Sequence, residues 1–325
     1  MQLLILSARE VEQAVPMPEA IEANATAFER LSAGRAKVPL RLHLETPGGV
    51  TLVKPGYLEP EGALACKVVS VFPENPSRGL PTVQAVVLVL DAASGTPLAL
   101  MDGTRLTALR TGAASGAATR LLAREDSRVL ALFGAGGTAP DQVEAVLAVR
   151  PIEEVRIHTP SGDSARRLAG ELAGRHPQVQ FLAAQSPAQA VRGADVICCA
   201  TTSRQPVFDP NDLAPGTHIN GVGSFTPQMR EVQLRGIDDL GIWVDSLESA
   251  LAEAGDIVQA LEEGIIAKDD LHELGAALAG RAPGRTSPEQ VSFFKSVGTA
   301  VQDVITAQLA LENARRLGLG TTVEL

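Results

Sequence analysis

Residues 129–149 read VLALFGAGGTAPDQVEAVLAV, and this stretch decides the fold. Residues 129–133 form a short apolar, partly β-branched run, the pattern of a buried strand. The run passes straight into Gly134, Gly136 and Ala139, spaced G-x-G-x-x-A. Val143, Val146, Leu147 and Val149 then recur at helical intervals. Pro140 falls in the first turn, where a missing N–H costs little. Strand, glycine turn and helix start together predict a pyrophosphate site. Gly134 permits the tight turn, Gly136 lets the backbone approach the phosphates, and Ala139 lets helix and strand pack closely. The free N–H groups of the first helical turn then face the anion. The residues alone leave one alternative, a glycine-rich turn of an α/β unit that holds no ligand.

Outward from this stretch the alternation continues: strand 154–159, helix 163–175, strand 178–182, helix 187–192, strand 195–200, and further strands at 218–222 and 241–244. This order predicts a doubly wound parallel sheet of the Rossmann type. Residues 246–254 read as a helix ending at Gly255, 280–285 as a loop, and 291–294 as a short apolar run. A final amphipathic helix, 299–317, turns Val301, Val304, Ile305 and Leu309 inward and suits a return onto the first part of the chain.

Upstream, Ser7 and Glu10 form a capping box before a short helix. Pro18 opens a second, with Ile21, Ala25, Phe28 and Leu31 on one face. Segments 40–45 and 50–53 flank Pro47-Gly48-Gly49 as a hairpin. Apolar runs at 63–71, 83–90 and 97–101 complete a mostly antiparallel sheet. Helix 107–122 (TALRTGAASGAATRLL) is rich in Ala and Gly and suits close packing between domains or subunits. The predicted division is an N-terminal α+β domain, 1–122 completed by 299–325, and a Rossmann domain, 123–298.

The 325-residue chain is 45% hydrophobic but only 3% aromatic, so its interiors are aliphatic. A net charge of −10 argues against sequence-independent nucleic-acid binding, which needs a basic face. It leaves room for an anionic small ligand on a local cationic cluster. No apolar run approaches the ~20 residues of a membrane span. Residues 1–6 are too short, and lack the basic residues, for a signal peptide. Cys66, Cys198 and Cys199 make an odd count with no disulfide framework, which points to a reduced, cytoplasmic setting. His43, His158, His176, His218 and His272 are scattered without ligand spacing, so no metal is expected.

Cations stand in unusual places. Lys67 lies inside the apolar run ALACKVVSV, sharing a face with Ala65 and Val69; there an ammonium needs an anionic partner or an edge position. Arg110 sits one turn into the small-residue helix, and Arg41 lies in the first strand of the hairpin. Brought together, they would clamp a substrate carboxylate, since guanidinium binds carboxylate bidentately. Kept apart, they are surface charges. The loop 72–82 carries Asn75, Arg78 and Thr82 as hydrogen-bond donors, or serves only to reverse the chain. At the end of the second Rossmann strand, Thr159 stands where an NAD site usually has an acid for the ribose hydroxyls. No acid follows until Asp163, while Ser161, Arg166 and Arg167 would receive a 2′-phosphate, so NADP is favoured over NAD.

Four stretches read together resemble the ornithine cyclodeaminase/mu-crystallin family: KVVSVFPENPSRGLPTVQAVVLVLDAASGTPLALMDGTRLTALRTGAASG from Lys67, then FGAGGTA, HINGVGSFTPQMRE and FFKSVGTAVQD. The resemblance covers nearly the whole chain and is most specific between Lys67 and Arg110. It implies a homodimer of two-domain subunits with the active site in the cleft between domains. It also implies that Arg41, Lys67 and Arg110 bind the substrate carboxylate and that Thr82 lines the same pocket. Gly134, Ala135 and Gly136 match the phosphate loop, which runs on through Gly137 and Thr138, the latter where the family often has Gln. Val222, Gly223, Ser296, Val297 and Gly298 match backbone near the nicotinamide.

The family holds several activities, and the departures separate them. Ornithine cyclodeaminases carry an Asp where this chain has Phe225, and a Glu where it has Leu52. Without both carboxylates a second substrate ammonium lacks its partners, whereas Phe225 suits a ring or an aliphatic chain. Lys54 stands where Met is common, which leaves room for an extra anion. The resemblance therefore implies an NAD(P)H-dependent reductase of cyclic ketimine carboxylates, 1-pyrroline-2-carboxylate or 1-piperideine-2-carboxylate, giving L-proline or L-pipecolate. Lys67 is then either a proton donor or a second carboxylate ligand. The alternatives are ornithine cyclodeamination, alanine-dehydrogenase-type chemistry, and NADPH-dependent ligand binding without turnover, as in mu-crystallin.

Overall fold

A computed structural model describes residues 2–325. Its contacts divide the chain into two units: residues through Arg110 together with Thr299–Leu325, and Thr111–Gly298. In chain order, β1 (Gln2–Leu6) leads to α1 (Ala8–Ala14), where the Ser7–Glu10 capping box forms, and α2 (Met17–Ser32), with a proline in its first turn. Strands β2 (Ala36–Lys37), β3 (Leu42–Thr46), β4 (Gly49–Leu58), β5 (Ala63–Val71), β6 (Val83–Asp91) and β7 (Pro97–Asp102) precede helix α3 (Gly103–Leu122). Then come β8 (Val129–Phe133), α4 (Ala139–Leu147), β9 (Glu154–His158), α5 (Asp163–Arg175), β10 (Gln180–Ala183), α6 (Pro187–Val191), β11 (Val196–Cys199) and β12 (His218–Gly221). The chain closes with β13 (Leu240–Val244), α7 (Leu247–Glu253), α8 (Gly255–Glu262), β14 (Leu271–Glu273), α9 (Leu274–Leu278), β15 (Val291–Lys295), α10 (Ala300–Leu317) and β16 (Thr321–Glu324).

The unit Thr111–Gly298 holds an all-parallel sheet in the order β10-β9-β8-β11-β12-β15-β13-β14. From β8 the chain winds outward through β9 and β10, then returns to place β11 on the other side of β8. That reversal makes the doubly wound switch point. The central strands β8, β11, β12 and β15 are buried almost throughout, as strands covered on both faces must be. Alternation sends Leu130, Leu132 and Cys198 into one core, with Val143 and Val146 of α4. Ala131, Phe133 and Cys199 enter the core on the opposite face.

The other unit is a mixed sheet in the order β16-β1-β7-β6-β5-β4-β2, with β3 also on β4. All its pairings are antiparallel except β1 with β7. Thr46 pairs with Gly49, so Pro47-Gly48 is a two-residue hairpin loop. Helix α10 returns from the end of the chain to pack on β4, β5 and α2. It approaches closely at Gly56, where a Cβ would stand 2.9 Å from a Val304 methyl. On this covered face lie Leu52, Leu58, Ala65, Val69 and Val87.

Several expectations need correcting. The division falls after Arg110, inside α3, and not at its end. The second half of α3 is tied to Thr111–Gly298: Gly112 leaves no room for a Cβ against the Asp141 carbonyl (2.3 Å), and Arg150 donates to the carbonyls of Thr119, Arg120 and Ala123. Residues 2–6 are a strand, and a strand also follows α10; neither shows clean alternation. A new helix, α8, starts at Gly255, where a side chain would meet the Met229 carbonyl at 1.9 Å. On α10, Val301, Val304 and Ile305 are buried but Leu309 is half-exposed, and the buried face also carries Gln302, Asp303 and Thr306. Among the described residues no helix is long and apolar enough to cross a membrane.

Candidate active site

The ladder register aligns the carboxyl ends of the parallel strands. His158, Phe133, Cys199, Gly221, Lys295 and Val244 are consecutive neighbours across the sheet. The candidate dinucleotide residues follow them directly: Thr159, Gly134, Val222-Gly223 and Ser296-Val297-Gly298. In open α/β sheets ligands bind at this edge, at the switch point. Gly134 follows β8 with φ +97, and a Cβ there would stand 2.5 Å from the Ala200 carbonyl beyond β11. Only glycine satisfies both constraints. Gly136 and Gly137 differ, since a Cβ on either would meet nothing within 4 Å. No protein atom demands glycine there, whereas a phosphate lying on the backbone would. Ala135 packs against the core, and Thr138 precedes α4 without capping it through its side chain, so the helix start remains open to an anion.

Beneath this edge lies a buried charge network. Glu231 accepts from the Thr201 amide (2.6 Å) and hydroxyl (2.8 Å), and from the amides of Gly223 (2.7 Å) and Ser224 (2.8 Å). Asp256 accepts from the Glu231 and Val232 amides (2.7 and 2.8 Å), the Ser224 hydroxyl, and Lys295 Nζ (2.9 Å). Lys295 is fully buried and also donates to Ser224 Oγ (2.6 Å). Asp245 accepts from the Ser296 hydroxyl (2.7 Å) and the amides of Ser246, Val297 and Gly298. Burial pushes the Glu231 and Asp245 carboxyls up, while at Asp256 the charge of Lys295 and the hydrogen bonds outweigh burial and hold it low. The network therefore fixes the backbone of both loops. A Cβ on Gly223 would lie 2.1 Å from the Thr201 carbonyl, so this approach requires glycine.

At the end of β9, Thr159 is buried and accepts from Ser164 Oγ (3.1 Å), while Ser161 is exposed. Asp163 faces its own helix and pairs with Arg166.

In the other unit the ladder pairs Lys54 of β4 directly with Lys67 of β5, both on the face covered by α10. Lys67 lies in an interior strand flanked by β4 and β6, so the edge position is excluded. Its partner is Asp303 of α10: Lys67 Nζ lies 2.6 Å from Oδ1 and 3.1 Å from Thr107 Oγ1. Arg110 Nε approaches the same Oδ1 at 2.9 Å but off the hydrogen-bond line, and Lys54 Nζ stands 3.6 Å from Oδ2. None of the four side chains is more than 7% exposed. Three cations thus share one carboxylate, and Asp303 Oδ2 has no hydrogen bond. Burial, with Arg110 and Lys54 alongside, pulls the Lys67 ammonium well below its usual range, against the pull of Asp303. Burial alone would raise the Asp303 carboxyl, but the three cations outweigh it and hold it far below the carboxylate range.

Arg41 lies one residue before β3, and the next residue, Leu42, pairs with Val53 beside Lys54. Thr82 immediately precedes β6, and its carbonyl accepts from the Phe72 amide (2.9 Å) to close the loop. In that loop Asn75 donates to the Pro81 carbonyl, which makes it an internal brace. Phe225 is half-buried against the apolar core below β12. Cys198 and Cys199 are buried thiols, the first pushed up to about 12 by burial. No group of three or more His, Cys, Asp or Glu among the described residues is placed to hold a metal.

Sequence reasoning missed Asp303, Glu231, Asp256, Asp245 and Lys295. The helical pattern carried no signal for Asp303: at 100° per residue it lies across the helix from Val301, Val304 and Ile305, and it is buried because residues 300–307 of α10 are covered on every side.

The family model of the ornithine cyclodeaminase/mu-crystallin family matches residues 1–317. A Delta(1)-pyrroline-2-carboxylate reductase of Bacillus cereus is 38% identical over 99% of this chain and 100% of its own. Among solved structures, that of Thermococcus litoralis Delta(1)-pyrroline-2-carboxylate reductase in complex with NADH and L-proline matches with a TM-score of 0.94 and 42% identity. The match covers 99% of this chain and 100% of that one. An archaeal alanine dehydrogenase dimer with bound NAD matches with a TM-score of 0.93 and 36% identity, covering both chains fully. With this agreement over its whole length, the chain belongs to the ornithine cyclodeaminase/mu-crystallin family.

Proposed function

We propose that the protein reduces cyclic ketimine carboxylates with NADH or NADPH, taking 1-pyrroline-2-carboxylate to L-proline. The observation that carries this reading is the buried cluster of Lys54, Lys67 and Arg110 around one carboxylate. Its excess positive charge suits a carboxylate ligand, and the two reductase relatives agree with it. Arg110 and Lys67 hold the substrate carboxylate, with Arg41 and Thr82 at the same site. The reduced nicotinamide, when bound, supplies a hydride to the imine carbon, and a proton goes to the imine nitrogen. Gly134, Ala135, Gly136, Gly137 and Thr138 receive the pyrophosphate. Val222, Gly223, Ser296, Val297 and Gly298 present rigid backbone at the nicotinamide. Fixing both partners supplies most of the rate, because orientation replaces a bimolecular encounter. Thr159 and Ser161, with no acid before Asp163, support use of NADPH as well as NADH.

Leu52 and Phe225 speak against ornithine cyclodeamination. Leu52 is buried on the covered face of β4, one row from Lys54, and Phe225 packs on an apolar core, so neither site offers a carboxylate. The test is oxidation of NADH and NADPH with 1-pyrroline-2-carboxylate, run beside ornithine plus NAD and alanine plus NAD. Imine reduction without ammonia from ornithine is expected. Ammonia from ornithine overturns the reading, and turnover of alanine alone transfers it to the alanine dehydrogenase branch.

The outer face of the first sheet supports a homodimer. Leu42, Val53, Val68 and Val86 are register partners in one row across β3, β4, β5 and β6. Leu42 is 55%, Val68 38% and Val86 46% exposed, and Leu40 and Leu44 extend the apolar patch. A continuous apolar sheet face of this kind marks an interface, and the alanine dehydrogenase relative is a dimer. Val68→Asp with Val86→Asp should yield monomers in sedimentation equilibrium; an unchanged mass would exclude this face.

A further inference from the structure

The structure assigns Asp303 a positioning role: it sets Lys67 and Arg110 for the substrate carboxylate and keeps Lys67 charged, with Lys54 acting in opposition. This rests on the carboxylate site proposed above. The charged groups facing Lys67 come from three elements: Lys54 from β4, Arg110 from α3 and Asp303 from α10. Thr107 of α3 adds a hydroxyl, and the β6 neighbour across the ladder is the apolar Val87. Among the described residues, Asp303 is thus the negative charge that acts on an ammonium with two cations beside it.

Its own position is rigid. Val304, the next residue, sits against Gly56 with no room for a side chain between sheet and helix. Gln302, the residue before, accepts from the Thr299 amide (2.8 Å) and lies 3.4 Å from Arg110 Nη1. One oxygen, Oδ1, faces both Lys67 and Arg110, so their charged ends converge on a single point. An incoming carboxylate meets two prealigned cations and adds the second negative charge that three cations require. Take Asp303 away, and burial and like charge favour neutral Lys67, which cannot pair with a carboxylate. Take Lys54 away, and the opposite follows.

The test compares wild type, Asp303→Asn, Asp303→Glu and Lys54→Met. The KM for 1-pyrroline-2-carboxylate and the Kd of L-proline are measured between pH 6 and 10. KM should climb at high pH, where Lys67 loses its proton. Asp303→Asn should move that limb down by about one pH unit or more, raising KM about tenfold on the alkaline side of the limb and recovering as pH falls. Lys54→Met should move it up, and Asp303→Glu should restore most of the wild-type profile. NADH affinity, a property of the other unit, should stay constant and serves as the folding check. An unmoved limb in Asp303→Asn, or a shift in the same direction in both variants, overturns the proposal. If Asp303→Asn does not fold, Lys54→Met decides alone, and a limb that stays or falls overturns it. A wild type that binds L-proline but reduces no imine ends the functional reading while the pH profile of binding still decides the role of Asp303. If it does neither, both fall.

Discussion

Each unit buries one cluster of charge, and the two are built oppositely. Between α10 and the first sheet, three cations surround one carboxylate, and an oxygen of that carboxylate accepts no hydrogen bond. At the carboxyl edge of the parallel sheet, Glu231, Asp256 and Asp245 surround one lysine, and every one of their oxygens accepts from an amide, a hydroxyl or Lys295. A saturated network is closed and serves the fold; an unbalanced one has capacity left for a ligand. The difference separates two kinds of buried charge that burial alone does not distinguish.

The comparison breaks most visibly at Lys295. Lys295→Met leaves Asp256 buried without its cation and should cost about 3–5 kcal/mol of stability, read as the urea midpoint. Arg110→Ala should do the reverse. Asp303 keeps two cations, so the midpoint should move by less than about 1 kcal/mol. The kcat/KM for the imine should nonetheless fall by about 100- to 1000-fold, as when a buried partner of a ligand charge is lost. Equal stability losses in the two variants would abolish the distinction.

His218 sharpens it further. It is buried in β12, bonded to Ser292 Oγ (2.9 Å) and Asn220 Oδ1 (3.1 Å), and burial pushes it down to about 3. The unfolded chain binds its proton near pH 6.5 while the folded chain stays neutral. Stability therefore falls as pH drops below about 6.5, by about 2 kcal/mol at pH 5, above the range where carboxylates titrate. His218→Gln should flatten that part of the urea-midpoint profile. The smallest effect belongs to Thr201→Val, which removes one of four donors to Glu231 and should cost about 1 kcal/mol. A loss as large as that of Lys295→Met would mean the network tolerates no gap.

Much of this was legible in the sequence. The turn at Gly134, the parallel alternation and the anomaly of Lys67 inside ALACKVVSV all follow from local patterns, and local patterns are what a linear reading sees. Lys295 and Asp303 were hidden for the opposite reason. Lys295 ends an apolar run and reads as the polar residue that closes a strand. Asp303 stands near the start of a helix, where an acid is ordinary. Its meaning comes from Lys67, 236 residues earlier in the chain. Glu231 lies outside any helix or strand and Asp256 in the first turn of α8, where an acid is ordinary, and only the fold brings their donors together. Strand β1 was missed because Gln2–Leu6 is half-buried without alternation, and the break at Gly255 because it depends on the carbonyl of Met229.

The first unit is assembled from both ends of the chain, and this bears on how it is made. During synthesis the segment Thr111–Gly298 precedes α10, so until α10 follows, Lys54 and Lys67 of the first sheet and Arg110 of α3 have neither the covering helix nor the counter-ion. Closing that face depends on a contact of very long sequence separation, the slowest kind to form. A chain without Thr299–Leu325 would lack the helix that covers the apolar, cation-bearing face of the first sheet, and an uncovered surface of that kind is what chaperones and proteases recognise.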